Sequence, residues 1–318
     1  MLISFGSLKK NLYFRLGETA KRGRMLLESF IDYLRYERAA SARTVKEYHD
    51  DLKAFESFYK GLDNTLSWET IDTDIAREWV VDMMDRGHKP NSVHRRLSAL
   101  RSFYKYLFRR GYVERDPVRL LTSPKREKSL PAFIQEKDMD RLLDQEGMFA
   151  DSFEGRRDHL IIAMFYETGL RVSELVGLNM DDISRSACTL KVTGKGNKQR
   201  VVPFGSELLH LINIYIGERA QMPQSDGPAF YISRKGTRVT VASVRQMVRR
   251  QLALVTTQKK RSPHVLRHTF ATTMLNHHAD LQSVKELLGH ARLSTTEIYT
   301  HTTFEELRKV YNQAHPRG

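Results

Sequence analysis

The sequence predicts a two-domain protein, mainly α-helical, whose second domain carries a small antiparallel β-sheet. Three observations predict it. Apolar residues recur at helical spacing from about Met25 to Gly111; a charged stretch bounded by prolines then breaks the pattern; beyond it, two short β-like runs flank a glycine turn among further helices. The chain's 318 residues suffice for two domains of ordinary size, each with a buried core.

Residues 1–23 are basic and Gly-dotted, without sustained periodicity, and read as an N-terminal extension: either a flexible arm or a stretch ahead of a start at Met25. A helical domain is expected over 24–115. Phe30, Ile31 and Leu34 share one helix face. Ser41 is suited to cap a second helix carrying Val45, Tyr48, Leu52, Phe55 and Phe58. A third helix is expected over Asp74–Asp85, ending at Gly87. A fourth opens at Pro90 or Asn91, is striped by Val93, Leu97, Leu100, Phe103 and Leu107, and ends at Gly111. Asp116-Pro117 and the charged run between Pro124 and Pro131 read as a linker over 116–133. The second domain, 134–318, opens with helical patterns around Glu136–Gln145 and Arg157–Thr168. Strands follow at Cys188–Thr193 and Gln199–Phe204, around the turn 194–198, with a further strand at Ala229–Ile232. Phe304–Gln313 is again helical, with Leu307, Val310 and Tyr311 on one side.

Fifty-two Lys and Arg against 38 Asp and Glu give a formal net charge of +14, which favours a polyanionic partner through counterion release. The single cysteine, Cys188, excludes an internal disulfide and a multi-cysteine zinc site. It suits a reducing cytosol and reads as a small buried apolar residue. No apolar run approaches the roughly 18 residues of a membrane span, and MLISFGSLKK is a poor signal peptide. A cytoplasmic protein without membrane association is expected.

Arg95, Arg96, Arg101 and Lys105 crowd the fourth helix, beside Arg109 and Arg110. Such a run is ordinarily a solvated face; with the overall charge it reads as a surface for DNA phosphates. Four clusters in the second domain could carry chemistry: Thr168–Leu175 with Arg171, the hairpin tip with Lys195, His264-Val-Leu-Arg267-His268, and the run from Leu287-Leu-Gly-His290 to Tyr299. Singly, each has an ordinary reading as an exposed cation, a turn residue or a core tyrosine. His264 and His268 are four apart, but Val265 stands where a zinc-protease glutamate would be and no third ligand is evident, so no metal is expected. Together, the clusters meet one chemical need. Phosphodiester transfer calls for positive charge on the non-bridging oxygens, a nucleophile, a proton acceptor and an acid for the leaving 5′ oxygen. Arg171 and Arg267 could clamp, Tyr299 attack, the histidines handle protons, and Lys195 or its neighbour Lys198 act as acid.

The set Arg171, Lys195, His264-x-x-Arg267, His290 and Tyr299 resembles the catalytic signature of the tyrosine recombinases, the lambda-integrase class. The surrounding blocks, Thr168–Leu175, Thr193–Arg200, Ser262–Thr272, Leu287–His290 and Leu293–His301, are similar to those of bacterial Xer recombinases, and the likeness covers nearly all of the chain after Met25. The resemblance implies a helical core-binding domain and a mixed α/β catalytic domain that close as a clamp on duplex DNA. It implies Tyr299 as the nucleophile forming a 3′-phosphotyrosine, Arg171 and Arg267 as phosphate clamp, and His264 and His290 as proton-handling and phosphate-contacting groups. Lys195 is implied as general acid and Glu174 as a supporting carboxylate.

It also implies strand exchange with no cofactor, neither metal nor ATP, by four protomers on two specific sites, as a homotetramer or with a paralogous recombinase. A septal DNA translocase would regulate them, and the C-terminal helix would dock into a neighbouring protomer. The biological reading that follows is resolution of chromosome dimers before cell division. Its rivals are an integrase of a phage or conjugative element, a type IB topoisomerase, and a non-catalytic DNA-binding protein.

Overall fold

The computed structural model describes residues 21–125, 132–194, 197–223, 227–289 and 304–318. The chain divides into two compact units, Met1–Ser129 and Leu130–Gly318.

Among the described residues, the first unit is built of four helices. Residues 21–32 are helical (α1), so regular structure is under way before residue 24, and the helix runs into a π-helical turn at Tyr33–Glu37. Gly23 lies against the Trp68 ring, where an added Cβ would stand 3.3 Å from the indole. α2 (Ala42–Leu62) is capped by Ser41, whose Oγ accepts from the Thr44 N–H at 3.1 Å. α3 (Thr73–Asp85) is capped by Asp72 and ends before Gly87, whose φ of +76° is open to glycine. α4 (Pro90–Arg109) has Pro90 in its first turn, where a missing N–H costs nothing. The expected stripes form the core, in which Phe30, Phe55, Trp68, Phe103 and Leu107 are all buried. The segment expected to be a linker begins on this core: Val118 and Leu121 are buried in it, and His94 bonds the Pro124 carbonyl at 2.7 Å.

The second unit runs α5 (Glu136–Asp144), α6 (Phe153–Thr168), α7 (Val172–Gly177), a 3₁₀ turn (Met180–Asp182), β1 (Ile183–Ser184), β2 (Thr189–Thr193), β3 (Gln199–Pro203) and α8 (Ser206–Arg219). After these come α9 (Val241–Leu252), α10 (Pro263–Asn276), α11 (Leu281–Leu288) and α12 (Phe304–Ala314). The sheet is antiparallel, ordered β1-β2-β3, with Val192 opposite Arg200 and Thr193 opposite Gln199. β2 starts one residue later than expected because Cys188 sits at φ +50°, in a turn, half-buried rather than fully buried.

The strand expected at Ala229–Ile232 is instead two isolated bridges, Asn179 with Ala229 and Ile232 with Arg238. Side chains take the backbone groups a ladder would have used. The Phe230 carbonyl accepts from Tyr215 Oη and Arg219 Nε, the Ala229 carbonyl from Arg219 Nη2, and the Ile232 N–H donates to Tyr215 Oη. Almost the whole circumference of α6 is buried, from Leu160 to Thr168, which makes it the central helix of the unit. α12 turns its apolar stripe inward: Tyr311 is fully buried with Phe270, Met274 and Leu287. His315 stacks on Tyr311 at 5.3 Å, and Arg317 pairs with Asp140, Asp144 and Glu207.

Candidate active site

Three breaks in the second unit meet at one place. α6 ends at Gly169, whose φ of +59° forms a left-handed cap. A Cβ there would lie 2.6 Å from Phe270 and 2.7 Å from Leu288, so any side chain would push α10 and α11 apart. α7 begins just after Arg171, and α11 ends at Gly289, at φ +64°. Helix ends leave carbonyls without helical partners. Here guanidinium groups take them. Arg267, buried on the first turns of α10, donates to the Gly169 carbonyl and the Leu288 carbonyl, each at 2.7 Å. Arg171 Nη2 reaches the Gly289 carbonyl at 3.3 Å, and its Nη1 donates to Glu174 Oε1 at 2.7 Å.

Glu174 is the anion at the centre, with a side chain 3% exposed. It accepts from the Arg171 backbone N–H at 2.9 Å, which caps α7 from its third residue. It also accepts from both terminal nitrogens of Arg200, at 3.1 and 2.9 Å. Burial alone would raise its pKa. The hydrogen bonds from Arg200 and Arg171, with the charge of Arg200, outweigh burial and hold it at about 2. Arg200 ties the sheet in as well, donating from Nε to the Leu287 carbonyl at 2.9 Å.

Burial first, and then the Arg171 cation, bring the Arg267 pKa down to about 10, so it still carries its charge at neutral pH. His264 lies one turn before it on α10, exposed at the surface. Partial desolvation, then the cations and rings of His268, Arg267, Arg245 and Arg171, lower its pKa and favour the neutral imidazole.

The structure thus brings Arg171, Glu174 and Arg267 together, with His264 close to both arginines. Lys195, His290 and Tyr299 lie outside the described residues; Lys198, the alternative to Lys195, is exposed just before β3. Arg200 was not anticipated. The signal was strand alternation: opposite Val192 and two residues from the buried Val202, Arg200 falls on the inward face of the hairpin. A cation on an inward face calls for a buried anion.

In the first unit the expected basic surface is divided. Arg95 and Arg96 converge on the buried Asp51 of α2, Arg95 by a hydrogen bond and Arg96 at 3.7 Å. Arg101 donates to the Leu121 carbonyl and to Ser123 Oγ, holding the chain that leaves the unit. Arg101 and the exposed Lys105 then line a groove of about 700 Å³ with Tyr33, Tyr106, Arg109 and Arg110, whereas Arg96 lines a different one beside Glu78 and Asp82. The four residues do not form a single face.

Residues 132–306 match the family described as the phage integrase family, and residues 27–111 match the phage integrase N-terminal SAM-like domain. The chain belongs to the phage integrase family, the tyrosine recombinases. It is similar to the tyrosine recombinase XerC of Azotobacter vinelandii, 41% identical over 294 residues that cover 92% of this chain and 96% of that protein. The tyrosine recombinase XerC of Pseudomonas aeruginosa is 38% identical, covering 92% and 95%. Among solved structures, the XerH site-specific recombinase bound to its difH substrate, a pre-cleavage complex, is 26% identical. It aligns with a TM-score of 0.66 over 89% of this chain and 82% of that one. As expected from the sequence, this recombinase is mainly helical with a small antiparallel sheet. No helix among the described residues is long and apolar enough to cross a membrane.

Proposed function

We propose that this recombinase cuts and rejoins duplex DNA at a specific site through a 3′-phosphotyrosine on Tyr299, and that it resolves chromosome dimers at cell division. The observation that carries the chemistry is the convergence of Arg171 and Arg267 at three helix breaks, their guanidinium groups fixed by backbone carbonyls and by Glu174.

Paired guanidinium donors match a phosphate's non-bridging oxygens and stabilise the charge that grows on them as the phosphorane forms. Tyr299 Oη attacks phosphorus, the bond to the 5′ oxygen breaks, and the phosphoryl group passes to the tyrosine. The tyrosine proton passes to a histidine, with His264 held neutral and able to accept it. His290 contacts the phosphate, and Lys195 protonates the departing 5′ oxygen. The phosphotyrosine conserves the bond energy, so a 5′-hydroxyl on a new partner strand reverses the step without ATP. The two arginines supply the charge a metal would otherwise bring.

Arg101 and Lys105 on one groove, and Arg95 and Arg96 gathered on Asp51, would each meet DNA phosphates and together set register. Four protomers would assemble on two sites, alone or with a paralogous recombinase, in the cytoplasm, with a septal translocase as regulator. The likeness to XerC proteins over nine-tenths of the chain supports this reading over a mobile-element integrase. The test is a suicide substrate, nicked so that cleavage releases a short fragment and traps the enzyme. A denaturation-resistant adduct is expected with wild type and not with Tyr299→Phe. An adduct with both would move the nucleophile elsewhere. None with either, despite tight binding and added partner recombinase, would favour DNA binding without catalysis.

A further inference from the structure

We propose that Arg200 is a positioning residue for strand cleavage: it locks the β2–β3 hairpin, the start of α7 and the end of α11 into one frame before DNA arrives. The proposal rests on the catalytic reading above. It assigns to Arg200 a task none of the expected site residues performs.

Like Arg171, Arg200 bonds both Glu174 and a carbonyl at the end of α11, and it adds the β2–β3 hairpin to that frame. Its two terminal nitrogens hold both oxygens of Glu174, and its Nε holds the Leu287 carbonyl. Glu174 in turn holds Arg171, by side chain and by backbone. The Leu288 and Gly289 carbonyls, the next two in the chain, are the ones that Arg267 and Arg171 grip. Gly194, which precedes Lys195 in the sequence, packs beside Glu174; a Cβ there would lie 3.5 Å from Oε1. At Gly289, ahead of His290 in the sequence, a Cβ would meet Arg200 Cδ and Nη1, both at 3.1 Å, so glycine leaves room for the guanidinium. One planar fork therefore ties together three segments that lead to Arg171, Lys195 and His290. A lysine could keep the charge but not the three bonds.

Arg200 also keeps Glu174 ionised in a buried place. Without it, the strongest influence opposing burial is lost, only the Arg171 hydrogen bonds remain, and the Glu174 pKa moves up from about 2. A protonated Glu174 would weaken its hold on Arg171, so cleavage would acquire a loss on the acid side.

The experiment measures suicide-substrate adduct formation against pH for wild type, Arg200→Gln and Arg200→Lys, with Tyr299→Phe as control, after thermal melting and half-site binding of each. Arg200→Gln is expected to bind the half-site normally, to form adduct about 10²-fold more slowly, as misplacement of a reacting group does, and to fall off further as pH drops towards 5. Arg200→Lys is expected to recover the wild-type pH profile and only part of the rate. A folded Arg200→Gln with the wild-type rate and profile would overturn the proposal. So would a slowed variant whose profile is unchanged and which lysine does not improve, since that marks simple loss of packing. If Arg200→Gln does not fold, Arg200→Lys decides: slowed with a normal profile supports the proposal, and a wild-type rate overturns it. A wild type that forms no adduct beside its Tyr299→Phe control would instead remove the catalytic reading itself.

Discussion

Each unit of this recombinase sets two arginines on a buried carboxylate, Asp51 in the first and Glu174 in the second, and these two carboxylates respond in opposite ways. In the first unit Asp51 faces Arg95 and Arg96; burial is the largest influence and its pKa is raised despite both cations. In the second, Glu174 faces Arg200 and Arg171 and is held at about 2. The number of arginines is the same. The geometry differs: Glu174 receives a two-pronged guanidinium and a backbone N–H, whereas Asp51 has one hydrogen-bonded arginine and a second whose Nε stands 3.7 Å away. Charge nearby offsets desolvation only when hydrogen bonds satisfy the lone pairs. A tightly satisfied network suits a site that must hold a phosphate in one position. A looser one suits a surface that meets a polyanion.

The largest effect is expected at Arg267, which bonds the helix-end carbonyls beside the second network. Arg267→Ala removes one of the two guanidinium groups proposed to hold the phosphate and orphans the Gly169 and Leu288 carbonyls. Adduct formation on the suicide substrate is expected to fall by about 10²–10³-fold, as when one oxyanion donor is lost, with much smaller change in half-site binding. Next come the carboxylates. Glu174→Gln leaves Arg200 half-buried without its anion and should cost about 3 kcal/mol of stability in urea unfolding; Asp51→Asn, which removes a carboxylate whose burial its arginines do not offset, should cost about 1 kcal/mol or less, the worth of one hydrogen bond. Equal losses would erase the distinction drawn between them.

Acid separates the pair again, by sign. The folded pKa of Glu174 lies below its ordinary 4.5, so its contribution to stability is complete above pH 4.5 and is lost as pH falls from there to about 2. The folded pKa of Asp51 is raised, so its cost at neutral pH is relieved as pH falls through that value. Glu174→Gln should therefore flatten the acid loss of stability, and Asp51→Asn should steepen it. The smallest effect belongs to the open surface. Lys105→Ala should weaken binding of all DNA sequences alike and lower the slope of log affinity against log salt by about 1. A sequence-selective loss would make Lys105 a base-reading residue instead.

How much of this was legible follows from the range of the forces. Helix stripes and caps are local, so α2, α3 and α4 lie where Ser41, Gly87, Pro90 and Gly111 imply, and the Gly-rich turn fixed the β2–β3 hairpin. The strand at Ala229–Ile232 failed because Tyr215 and Arg219, from a separate helix, take its backbone groups. β1 is only two residues long and leaves no periodicity to read. Arg171, Glu174 and Arg267 were found by motif, but Arg200 lies 26 residues from Glu174 and its role appears only when the sheet folds against α7. The same distance effect split Arg96 from Arg101 and Lys105, which share one basic run on α4 but face different grooves.

The most direct test of the central claim, two preset arginines serving attack by Tyr299, is to locate the covalent bond. The trapped wild-type adduct would be digested with nuclease and trypsin and the peptides analysed by mass spectrometry. Trypsin releases Leu293–Arg308, in which Tyr299 is the only tyrosine. The expected result is a nucleotide remnant on Tyr299 in that peptide, its yield falling sharply in Arg267→Ala. A remnant on another peptide, or an undiminished yield without Arg267, would contradict the account.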